Sequence, residues 1–306
     1  MGQIAFVFSG QGAQYAGMGK SLYDGSPTAK VLMDELERIR PGTLAQCFTG
    51  SESELKDTRN TQPCIFAISL AVTAALGEHG VFPDALAGFS LGEVTALTFG
   101  GAFSVSDGFS LVIRRGELMA KVAEESPGGM SAIMKLPASQ VEALAANFAE
   151  IYPVNYNCPG QTVVAGNSEQ LVSFGASVKD AGGRAIPLKV GGGFHSPYMT
   201  FASASFKEVL SEFEIGTLQY PVYSNLTAKP YGEDVVQKLS EQMANPVQWQ
   251  KTVENMVADG ITAFIEVGPG KTLKGLIEKC TDQAVAYHVE DMDSLQEVVR
   301  ALSAQA

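Results

Sequence analysis

The residues best suited to chemistry in this chain are a serine set between glycines, three histidines and a pair of adjacent arginines. Gly88-Phe89-Ser90-Leu91-Gly92 has the G-x-S-x-G pattern of a nucleophile elbow, in which a sharp strand-to-helix turn exposes the serine hydroxyl. Such a turn crowds the backbone, so flanking positions without a Cβ leave room for it. Ser90 then stands at a helix N-terminus, where free N–H groups can stabilise an oxyanion. The alternative is a structural turn with no chemistry.

A serine nucleophile needs a base, and the chain offers only His79, His195 and His288. His79, in Gly77-Glu78-His79-Gly80, reads as an exposed helix C-terminus, where a histidine complements the dipole. His288 sits in the apolar run 284–289 and reads as a strand residue. His195 alone lies in a loop that can expose it, Gly191-Gly192-Gly193-Phe194-His195-Ser196-Pro197, as a base or as a satisfied loop histidine. Arg114 and Arg115 interrupt a helical stretch, 110–121. An arginine there is ordinarily solvated or salt-bridged; a substrate with its own carboxylate is what a guanidinium fork would bind bidentately.

Two glycine-rich segments need sorting. Gly10-Gln11-Gly12-Ala13-Gln14 departs from a dinucleotide fingerprint, because Tyr15 stands where the third glycine belongs. A tight loop there can instead aim an N–H at a neighbouring strand end, as a second oxyanion donor does. Gly268-Pro269-Gly270-Lys271 reads as a turn, since Ile265 occupies the first glycine of a P-loop.

The elements that must position these residues follow from periodicity. Ile4 to Phe8 is a continuous apolar run that fits a strand buried on both faces, so a parallel sheet is expected. Helical patterns follow at 29–40 and at 64–76, the latter so apolar that an internal helix is expected; then come a strand at 85–87, a helix at 91–99 and a helix at 107–124 with Asp107 as N-cap. From 129 to about 190 the order becomes strand 130–136, helix 139–149, strands 151–157 and 161–166, helix 168–180 and strand 184–189. This βαββαβ order is the ferredoxin-like pattern. Beyond it come a helix at 201–213, a strand at 222–225, a helix at 249–259 and a strand at 263–267, with fraying expected only in the last few residues.

The whole composition sets bounds on partners. With 306 residues, 21 Lys+Arg and 33 Asp+Glu, the net charge is −12, which argues against nucleic acid. The length suits about two domains, or one large α/β unit with an insertion. Cys47, Cys64, Cys158 and Cys280 form no CxxC pair or Cys/His cluster, so reduced thiols are expected in place of disulfides or a metal site. The N-terminus lacks a basic stretch leading into an apolar run, and no apolar run approaches the ~18 residues of a membrane span, so a cytoplasmic protein is expected.

Taken in order, Gly10-Gln11-Gly12-Ala13-Gln14, Gly88-x-Ser90-Leu91-Gly92-Glu93, Arg114-Arg115-Gly116-Glu117-Leu118-Met119, Asn155-Tyr156-Asn157-x-Pro159-Gly160-Gln161, His195-Ser196, Asn245-Pro246-Val247 and Glu266-Val267-Gly268-Pro269-Gly270-Lys271 carry a resemblance. The chain resembles the malonyl-CoA:acyl carrier protein transacylase family over essentially its whole length. The resemblance implies a large α/β-hydrolase-like domain with a mainly parallel sheet (1–127 and 191–306), an inserted ferredoxin-like subdomain (128–190), and an active site between them. It implies Ser90 as the acylated nucleophile, His195 as its general base held by the backbone carbonyl of Gln242, Arg115 as the partner of the malonyl carboxylate, and the N–H groups of Gln11 and Leu91 as oxyanion donors.

Phe194 resembles the residue of malonyl-selecting acyltransferase domains, where a bulky ring disfavours an α-methyl branch. Phe89 is a departure, since the family's usual residue there is histidine; it bears on pocket shape and acyl preference. The expected reaction moves malonyl from malonyl-CoA to the phosphopantetheine thiol of acyl carrier protein, without cofactor or metal, in a monomer. An acyl hydrolase of the same scaffold in polyketide assembly, or a non-catalytic carrier-protein-binding component, stays open at this point. Because the implied carrier protein is acidic, Lys189, Lys229, Lys271 and Lys274 are expected to offer a local basic patch.

Overall fold

The computed structural model describes residues 2–304; the expectations for Met1 and for the last residues, 305–306, lie outside it. Its strands in chain order are β1 (Gln3–Phe8), β2 (Ala85–Gly88), β3 (Gly129–Met134), β4 (Ile151–Cys158), β5 (Gln161–Gly166), β6 (Arg184–Pro187), β7 (Val222–Tyr223), β8 (Ile261–Val267) and β9 (Val285–Val289). β1 is the middle strand of a parallel sheet ordered β7-β2-β1-β8-β9, with Phe6 opposite Leu86 on one side and Ile265 on the other. The alternation of a strand divides its side chains between two cores. Ile4, Phe6 and Phe8 join the core with the Thr58–Glu78 helix, whereas Ala5 and Val7 face Trp249, Phe264 and Leu276. Covered by helices on both faces, β1 can afford no polar face, which is why it reads as one apolar run.

The second sheet is antiparallel, ordered β4-β5-β3-β6, and its elements follow the chain as βαββαβ with helices Ala138–Ala145 and Ser168–Asp180. Its small core gathers Ile133, Val141, Val164, Phe174 and Val178. Where β4 meets the 245–247 segment, Tyr156 N–H donates to the Val247 carbonyl at 2.9 Å and Val247 N–H to Val154 at 2.8 Å.

Several boundaries differ from the sequence reading. The helix expected to start at Asp107 spans Val105–Glu125 and is capped by Ser104, whose hydroxyl accepts from Asp107 N–H at 3.1 Å. The strand expected at 222–225 stops at Tyr223, because Asn225 is drawn into the site described below. Helices Thr272–Cys280 and Met292–Ser303 complete the parallel sheet's cover. By length and composition alone the Thr58–Glu78 helix could cross a membrane, but its first turns, Thr58 to Gln62, are polar, and 83% of its most apolar window is buried inside the molecule, as the central helix of the main core.

Candidate active site

Two glycines make the turn at Ser90 possible. A Cβ on Gly88 would lie 2.0 Å from the Gly92 backbone, and one on Gly92 would lie 2.1 Å from the Phe8 carbonyl oxygen. The helix Leu91–Phe99 can therefore start directly against the ends of β1 and β2. Ser90 itself takes φ 54° and ψ −104°, a backbone conformation that costs a non-glycine residue of order 1–3 kcal/mol. Asn225 holds the strained turn, accepting from Ser90 N–H at 2.7 Å and donating to the Gly88 carbonyl at 2.6 Å.

His195 also has a positive φ, 61°, in the segment following the glycines 191–193. Its Nε2 lies 2.7 Å from Ser90 Oγ and its Nδ1 2.9 Å from the Gln242 backbone carbonyl. A carbonyl only accepts, so Nδ1 carries the proton and Nε2 is left to accept from the serine hydroxyl. Burial first, and then the nearby Arg115 charge, push the His195 pKa down to about 4, so the ring is neutral near pH 7. His79 is exposed at a helix end, and His288 faces Glu290 at 3.9 Å.

The two arginines part company. Arg114 makes a two-pronged surface pair with Glu212. Arg115 is fully buried and reaches Ser90 Oγ at 3.2 Å, Gln242 Oε1 at 2.8 Å and Gln62 Oε1 at 2.9 Å. Burial lowers its pKa to about 10, which leaves it charged at neutral pH. Its Nε–H is buried with no acceptor. A buried donor left open is costly unless something arrives to accept from it.

The remaining expected residues occupy distinct places. Leu91 opens its helix, so its N–H has no intrahelical acceptor. Gln11 lines a cavity of about 600 Å³ together with Gln14, Phe89, Asn155, Asn157 and Lys189, and its side chain donates to Thr58 Oγ1 at 3.2 Å. The Phe89 ring meets Trp249 edge to face at 5.6 Å. Phe194 is buried in the main core and does not line that cavity. Gln242 does more than lend a carbonyl, since its Nε2 donates to the Ser90 carbonyl at 2.7 Å and to Glu93 at 2.8 Å. The sequence reading missed Gln62, Asn225 and Tyr231, whose hydroxyl donates to the buried Glu93 at 2.5 Å; none lies in a motif with a chemical signature. Among the described residues, no group of three or more His, Cys, Asp or Glu is arranged to hold a metal, and all four cysteines are unpaired.

Residues 5–302 match the sequence profile of the acyl transferase domain. The malonyl CoA-acyl carrier protein transacylase of Bacillus subtilis is 38% identical over 99% of this chain and 98% of its own, and that of a Synechocystis strain 36% identical over 96% and 99%. The chain belongs to the malonyl-CoA:acyl carrier protein transacylase family. The fold agrees with the family's. The Clostridium perfringens malonyl CoA-acyl carrier protein transacylase superposes with a TM-score of 0.95 at 33% identity, covering 99% of this chain and 98% of that one. A malonyl-transacylase solved in complex with its type II PKS acyl-carrier protein superposes at 0.94 with 34% identity, over 98% and 99%.

Proposed function

We propose that this protein transfers the malonyl group of malonyl-CoA to the phosphopantetheine thiol of acyl carrier protein in two half-reactions. Ser90 Oγ attacks the thioester carbonyl as its proton passes to His195 Nε2; the tetrahedral intermediate collapses, and the departing CoA thiolate takes that proton. The carrier thiol then gives its proton to Nε2 and attacks the malonyl-serine ester, and Ser90 leaves with the proton returned. The N–H groups of Leu91 and Gln11 stabilise each oxyanion. The observation that carries the malonyl assignment is the buried Arg115, whose Nη2 reaches Ser90 Oγ and whose Nε–H has no acceptor. An uncharged acyl group leaves that cation without its acceptor, whereas a malonyl carboxylate completes it.

The same reading divides the chain into an α/β-hydrolase-like unit (1–127 and 191–306) and a ferredoxin-like unit (128–190), supported by the β4-β5-β3-β6 order of the small sheet. The cavity beneath the glycine loop, bounded by both sheets' residues, has the size of a small-molecule site and suits a pantetheine arm. Phe194 would act on acyl branching through the loop that carries His195, and the reaction needs no cofactor. We place it in the cytoplasm, with the monomer as the working unit.

Intact-mass measurement after incubation with malonyl-CoA should show a malonyl adduct that Ser90→Ala abolishes and that the carrier thiol discharges. Arg115→Ala should slow malonyl uptake by about 100-fold while acetyl uptake from acetyl-CoA changes by less than about tenfold. Equal loss of both acyl groups would remove Arg115 from its role, and spontaneous discharge to water would make the chain a hydrolase.

A further inference from the structure

Glu93 follows the nucleophile by three residues and is fully buried. Its Oε1 accepts from Asn225 N–H at 3.0 Å and Tyr231 O–H at 2.5 Å, and its Oε2 accepts from Gln242 Nε2 at 2.8 Å. Burial pushes the Glu93 carboxyl above its ordinary range, while the donors from Tyr231, Gln242 and Asn225 N–H pull the other way by favouring an ionised carboxylate that accepts on both oxygens. The polarity then runs onward. The Gln242 NH2 faces Glu93 and the Ser90 carbonyl, so its Oε1 faces Arg115. Turning that amide over would set donor against donor at Arg115 and acceptor against acceptor at the other two contacts.

Glu93 also supplies the negative charge that acts on the buried guanidinium, yet among the described residues no ion pair joins them. Gln242 stands between. A direct carboxylate pair would occupy the arginine fork and have to be broken for each substrate. Held one side chain away, the acid compensates the cation and leaves its open donor available.

We propose that Glu93 is a positioning residue that fixes the Gln242 amide and, through it, sets Arg115 to select a carboxylated acyl group. This rests on the malonyl-transfer reading. Glu93→Gln keeps an amide oxygen toward Asn225 and Tyr231 and turns its NH2 on the Gln242 NH2, which disorders the chain of contacts at Arg115. Single-turnover acylation of the full chain by malonyl-CoA and by acetyl-CoA, quenched and weighed, reads the effect. The malonyl-to-acetyl rate ratio should fall about tenfold in Glu93→Gln and stay within about threefold of wild type in Glu93→Asp, which keeps the carboxylate.

An unchanged or raised ratio in Glu93→Gln, or equal losses with both donors, would overturn the proposal. Failure of both variants to fold by circular dichroism would overturn it too, by making Glu93 a structural residue. A wild-type chain that takes up no malonyl overturns the malonyl reading and this inference together, whereas malonyl uptake with an unchanged ratio overturns the inference alone.

Discussion

At the scale of single residues, the site is governed by how few charges are buried together and how each is answered. His195 donates to a backbone carbonyl, not to a carboxylate, so nothing anionic stands at Nδ1 to raise its basicity. Burial and the Arg115 cation hold its pKa at about 4. In the proposed reaction the neutral ring is the active form of the base, so acylation of Ser90 should be nearly flat from pH 8 to about 5 and fall as the pH drops through about 4. Stopped-flow acylation across that range checks this; an acid limb centred near 6.5, the ordinary histidine value, would mean that the ring is solvated in the working enzyme.

At the scale of elements, the decisive feature is the contact of β1, β2 and the Leu91–Phe99 helix at the elbow. Gly92 lets the helix start press on the Phe8 carbonyl, and there is no flexible side chain at that contact to move aside. Gly92→Ala should therefore destabilise the fold by about 3 kcal/mol or more, beyond the usual cost of overpacking, because backbone must shift. Urea denaturation checks it: a midpoint near that of wild type would show that the elbow can relax. The same logic explains why β7 ends early, since Asn225 must leave the strand to pin Ser90 N–H and the Gly88 carbonyl.

At the scale of the whole molecule, a chain of net charge −12 would meet the acidic carrier that the family resemblance implies through a local exception to its own field. Of the four lysines expected to form one, Lys189 is exposed and lines the cavity, while Lys274 is engaged with Glu278 and Lys229 does not line the cavity. Lys271 is exposed next to the cavity-lining Thr272. Lys189→Glu should raise the carrier-protein KM about threefold or more at low salt and less at high salt, with acylation by malonyl-CoA little changed. An unchanged KM at low salt would move the docking surface elsewhere.

What the amino-acid sequence determined by itself was whatever is encoded by neighbours along the chain. The elbow at Gly88 to Gly92, the apolar run of β1, the βαββαβ order and the loop around His195 are all local patterns, and each depends on residues within a few positions of one another. The ballot of three histidines narrowed for the same reason. Only the tertiary structure decided what depends on residues far apart: that Asn225 and the Gln242 side chain reach Ser90 from 135 and 152 positions away, and that Gln62 meets Arg115 from 53 positions away; Arg115 over Arg114 was already implied by the family resemblance, and the apolar 64–76 helix already read as internal. Glutamine and asparagine carry no periodic or compositional signal; they become legible as parts of a site only when burial leaves their donors and acceptors a single way to pair.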